Sequence, residues 1–235
     1  MRRARPTLVV VALALLLVGP TPARAIGPSS EVAFVLASAD GQPLAAVWLR
    51  LFREVATSLS EVTSIPVRPD LREVPMQALA AAGVPLVVVP IDRVPAADAS
   101  AIAQVLRPFL STGGTVWFVN GAVWNTRDAV NEWVRRVVEA VRPRLALTAV
   151  PAEAVVYRSF FNLKGAEVGQ LEGARIDGRW AILHAPGWTA SEQRSVGGAR
   201  RRLAVNVVEY ALCGDYKDEQ THLDYLLKRR KWKLD

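Results

Sequence analysis

The sequence predicts an α/β fold: an open, mostly parallel sheet flanked by helices, with a helical extension at the C-terminus. Two observations lead there. Short, almost wholly apolar runs recur at Val32–Ser38, Pro85–Ile91 and Thr115–Val119, as expected of strands buried on both faces. Segments with helical spacing separate them, and right-handed crossovers through such helices make neighbouring strands parallel.

Each element has its own signal. Asp40-Gly41 breaks the first strand, and Leu44, Val47, Leu51, Val55 and Leu59 then line one stripe of a helix over Leu44–Leu59. A short strand is expected at Ile65–Arg68 and a brief helix at Met76–Ala82. The Leu-Val-Val-Val run within Pro85–Ile91 is the strongest strand signal in the chain. A helix over Asp98–Leu110 stops at Gly113-Gly114, which releases the chain into Thr115–Val119. Thr126–Val141 is amphipathic, with Val130, Trp133, Val134, Val137, Val138 and Val141 on its apolar face. Leu145–Val150 reads as a strand, whereas Ala152–Leu163 has no clear class. Gly173–Ile176 and Arg179–His184 flank Asp177-Gly178, a hairpin turn signal. Helices over Arg202–Leu212 and from Asp218 to Arg230 complete the chain.

The first 25 residues follow the plan of a signal peptide. A basic start (Arg2, Arg3, Arg5) precedes eleven apolar residues from Leu8 to Val18 and an Ala23-Arg24-Ala25 end. Eleven residues fall short of the ~20 needed to cross a bilayer. Cleavage near Ala25 and a periplasmic or secreted protein are therefore expected. Four of the 29 Lys and Arg residues and none of the 22 Asp and Glu lie in that segment, so the remainder carries a net charge of only +3. Five of its cations, Lys228, Arg229, Arg230, Lys231 and Lys233, crowd the last eight residues. Such an end suits contact with an anionic membrane surface or an acidic partner. It is no argument for nucleic acid, which asks for a basic face with interleaved aromatic residues. The division expected is a signal at 1–25, an α/β domain at 26–212 and a basic amphipathic helix at 213–235.

In an open α/β sheet, ligands sit at the carboxyl ends of the strands, beside a switch in strand order. Those ends carry Asp40, Asp92 and, if the last strand joins the sheet, His184, a set with carboxylates and an imidazole for acid–base work. Ser38, Asn120, Arg179 and Trp188 are the accompanying ligand-binding candidates. If Asp40, Asp92 and His184 act together, they must converge within hydrogen-bond reach. Nucleophilic chemistry has little support. Cys213, the only cysteine, sits at a helix end without an elbow glycine, and no Gly-x-Ser-x-Gly occurs. Asp218 and His222 form an i,i+4 pair without a third ligand nearby, so no metal is expected. Glycine pairs lack the spacing of a phosphate loop, and no cofactor is expected.

Several pieces in order resemble one bacterial family. They are Leu106-Arg107-Pro108-Phe109-Leu110 with Gly113-Gly114, then Arg158-Ser159-Phe160-Phe161-Asn162-Leu163, Leu171-Glu172-Gly173 and Ile176-Asp177-Gly178-Arg179-Trp180-Ala181. Leu203-Ala204-Val205-Asn206-Val207-Val208-Glu209-Tyr210-Ala211-Leu212 follows. The stretch is similar to the domain of unknown function 4159. The resemblance implies a flavodoxin-like or class I glutamine-amidotransferase-like sheet, in exported or membrane-attached proteins, and no established activity. It also implies an acidic residue where Asn120 stands and a histidine within the segment that here reads Glu153-Ala154-Val155-Val156-Tyr157. Both departures remove titratable groups. The expectation is thus an exported, non-catalytic binding or assembly module with an envelope protein partner, against the alternative of a hydrolase-like enzyme at the carboxyl edge.

Overall fold

A computed structural model describes residues 34–212, apart from 64, 69, 165–167 and 189–197. The expected signal peptide, the first residues of the first strand and the C-terminal helix lie outside the described residues. Seven strands form one sheet: β1 (Val35–Ser38), β2 (Arg72–Pro75), β3 (Leu86–Ile91), β4 (Thr115–Asn120), β5 (Thr148–Ala149), β6 (Glu172–Ile176) and β7 (Arg179–Ala185). Their order is β2-β1-β3-β4-β7-β6-β5. The pairs from β2 through β7 are parallel, while β6 pairs antiparallel with both β7 and β5, so β6 alone runs against the rest.

Every residue of β1, β3 and β4 is buried, which explains their uninterrupted apolar sequences: both faces are covered. One face carries α1 (Ala46–Val62) and α4 (198–212), packed through Trp48, Phe52, Val55 and Leu59 and through Val205, Val207 and Val208. The other carries α2 (Ala99–Ser111) and α3 (Trp124–Val141), packed through Ile102, Leu106, Val130, Trp133, Val134 and Val137. Asp98 caps α2 by accepting from the Ser100 amide at 3.1 Å. At the far end of α3, Arg107 donates to the carbonyls of Ala140 (2.7 Å) and Val141 (3.0 Å), setting a cation on the negative end of the helix.

One expectation needs correction, and one open segment is settled. The strand placed at Ile65–Arg68 lies instead at Arg72–Pro75, on the sheet edge. Only Val74 of its four residues is buried, so the segment lacks an apolar run. Ala152–Leu163 is mostly irregular, with one 3₁₀ turn at Val155–Tyr157. Its backbone is held from α4. Asn206 accepts the Phe160 (3.2 Å) and Phe161 (2.7 Å) amides and donates to the Phe161 carbonyl, while Ser159 Oγ donates to the Asn206 carbonyl. The hairpin turn is as expected, with φ of 50° at Asp177 and 85° at Gly178, the left-handed pair a two-residue hairpin needs.

Candidate functional site

The sheet changes winding direction between β1 and β3. From β1 the chain crosses to β2 on one side, and from β3 to β4 on the other. The loops leaving the two strands diverge there, as open α/β sheets require. A cleft opens between them, lined by Ser38, Asp40, Gln42, Leu44, Asp92 and Arg93 among others.

Its charged groups are held in place. Asp40 accepts from Ser38 Oγ (3.1 Å), the Gln42 amide (3.1 Å) and Arg93 Nη2 (3.2 Å). Burial works to raise its pKa, but the Gln42 amide, the Arg93 guanidinium and the Ser38 hydroxyl outweigh it and leave the carboxyl below its ordinary value. Both oxygens of Asp92 accept the indole N–H of Trp48, at 2.9 and 2.8 Å. Trp48 is fully buried, so an exposed carboxylate is aimed by a rigid anchor beneath it. Gly121 closes on the same pair. A Cβ there would lie 2.1 Å from Trp48 Cζ2 and 2.6 Å from Asp92 Oδ1.

The remaining candidates are dispersed. His184 pairs in register with Phe118 and sits on the face covered by α3, opposite the Trp48–Asp92 pair. It is wholly buried, and its Nδ1 lies 3.1 Å from Glu172 Oε2, directly across the β6–β7 ladder. Desolvation lowers its pKa against the pull of Glu172, so near neutral pH the ring is uncharged and donates from Nδ1. Nε2 then remains as a buried acceptor without a partner among the described residues. Glu172 is held below its usual value, first by the hydrogen bond from His184, against burial, and then by Arg135 of α3 at 3.6 Å. Asp40, Asp92 and His184 therefore do not converge.

Asn120 is also spent internally. Its amide donates to the Arg127 carbonyl (3.0 Å) and Asn131 Oδ1 (2.6 Å), and its oxygen accepts the Ala122 amide (2.9 Å). Arg179 opens β7 and so stands at the amino edge, the far end of the sheet from the cleft. There it donates to the Gly114 and Leu110 carbonyls and to Thr115 Oγ1, clamping the end of α2 to the start of β4. Trp188 is buried against Trp117, ring centroids 4.8 Å apart. Arg158 donates to the Glu153 carbonyl. Among the described residues, no three His, Cys, Asp or Glu side chains are placed to hold a metal ion.

Sequence reading missed Trp48, Glu172, Asn131 and Arg135. One signal was present: Arg127, Asn131 and Arg135 recur at four-residue spacing along α3 beside its apolar stripe. The structure uses that row as a polar seam. Arg127 approaches Gly187, Asn131 meets Asn120 and Arg135 meets Glu172.

Chemically, the cleft offers two carboxylates, a guanidinium and one hydroxyl. Ser38 Oγ is bonded to Asp40, whose depressed pKa makes it a weak proton acceptor, so the hydroxyl gains little activation. Fold and site together define a doubly wound α/β domain with a polar cleft at its switch point. The model of the family described as domain of unknown function (DUF4159) matches residues 34–212, and the chain belongs to that family. No curated protein matches the chain.

Proposed function

We propose that this chain is a non-catalytic binding module of the cell envelope, meeting its partner at the carboxyl edge of the sheet. One observation carries the reading: Asp40 is tied to Ser38 and Asp92 to the Trp48 indole at the cleft, His184 is tied to Glu172 on the opposite face, and among the described residues the cleft lacks an activated nucleophile. Strong internal pairing makes a precise, rigid surface and a poor acid–base centre. The export-type N-terminus supports the compartment. The alternative, a hydrolase-like enzyme, needs a substrate path to His184, and that imidazole is 0% exposed.

Photo-crosslinking in living cells tests the proposal. A benzophenone amino acid replaces the exposed Trp124, at the carboxyl edge, or the exposed Arg144, which follows the far end of α3. A discrete protein adduct from position 124 and none from 144 is expected. Adducts from neither site, or hydrolysis of an ester or amide panel that Asp92→Asn abolishes, would overturn it.

A further inference from the structure

We infer that the carboxyl edge takes a basic peptide segment with apolar flanks, its Lys or Arg side chain reaching Asp92 and its flanks lying on Trp124 and Val94. This rests on the reading of that edge as the docking face and adds the partner's chemistry.

Charge is the first argument. Two carboxylates face the cleft against one guanidinium, and Arg93 is already paired with Asp40. Asp92 has only a neutral indole N–H as its partner among the described residues, so one negative charge is left to an incoming cation. The second argument is exposed apolar surface. Trp124 is 85% exposed, Val123 65% and Val94 40%; Val94 and Val123 lie in the loops that follow β3 and β4, and Trp124 opens α3. The β4 loop borders the cleft directly, because Gly121 abuts Asp92. An exposed indole at the same sheet edge as an uncompensated carboxylate is suited to a cation on an aliphatic stem: the ring face attracts the charge and the apolar surface covers the stem. Tryptophan is also the side chain most enriched where interfaces concentrate binding energy. An anionic lipid surface or nucleic acid would meet the same carboxylates unfavourably.

The test follows the Trp48 and Trp124 indole N–H signals of the purified protein by NMR, assigned with Trp48→Phe and Trp124→Phe. The probes are acetylated, amidated Gly-Leu-Lys-Leu-Gly and the same peptide with norleucine or Glu in place of Lys. The Lys peptide is expected to move both signals saturably. The norleucine peptide should bind about tenfold more weakly and the Glu peptide not at all. Asp92→Asn, which keeps an acceptor for Trp48, should remove the advantage of Lys. Equal binding of the Lys and norleucine peptides overturns the basic partner but leaves the edge as the docking face. Silence of both indoles toward all three peptides, with a crosslink still formed from position 124, also overturns it. Silence with no crosslink removes this inference and the proposed function together.

Discussion

Replacing Gly121 by Ala places a methyl group 2.1 Å from Cζ2 of Trp48 and 2.6 Å from Oδ1 of Asp92. Gly121 has no left-handed φ, so the cost is one of space alone. The obstacle is a fully buried indole stacked on Phe52 at 6.4 Å, which has little room to retreat. Overpacking of this kind costs about 3 kcal/mol, toward the upper end of its usual range. Trp48→Phe removes the atom that clashes, along with the bond to Asp92, and costs about 2 kcal/mol alone. Because the two changes act on one contact, the double variant should lose about 3 kcal/mol rather than the sum of about 5. Urea unfolding measures this. With a slope of about 2 kcal/mol per molar, Gly121→Ala moves the midpoint by about 1.5 M. A midpoint within about 0.25 M of the parent, or strictly additive losses, would refute the packing argument.

Two further outcomes follow from the pairing. His184 and Glu172 both have folded pKa values below their unfolded ones, so the unfolded chain binds protons first on acidification. Stability should therefore be fully present above about pH 6.5, decline below it as unfolded His184 protonates, and decline again below about pH 4.5 with Glu172. His184→Gln should flatten the first decline in urea midpoints measured from pH 5 to 8, and an unchanged slope would reject the assignment. Arg179→Ala should cost about 1.5–3 kcal/mol by freeing the carbonyls it clamps. At the amino edge it should leave crosslinking from position 124 intact, whereas loss of the crosslink in a folded variant would return Arg179 to the binding surface.

The legible parts of the fold were those where local sequence and tertiary environment agree. The Leu-Val-Val-Val strand is buried on both faces, and Asp177-Gly178 supplies the two left-handed residues of the turn. Edge strand β2 has no such agreement: with one side buried at a single residue, Arg72-Glu73-Val74-Pro75 looks like a loop. The site was half legible. Ser38, Asp40 and Asp92 meet because they leave neighbouring strands at the same end. His184 and Arg179 depended on strand order and direction, which sequence does not carry. Once β7 runs parallel to β4, its first residue must stand at the far edge, and the parity of Leu183 turns His184 toward α3.

The sheet has two lateral borders of unlike strands but similar consequence. β2 has four residues, ends in proline and presents Arg72 and Glu73 to solvent; β5 has only two. Neither offers the row of free amides and carbonyls that an incoming extended chain needs to add itself as an eighth strand. Association by strand addition is thereby disfavoured for copies of this chain as much as for other proteins. On the proposed reading, recognition would fall to side chains held at the strand tips, where partners are told apart by charge and shape rather than by a backbone common to every polypeptide.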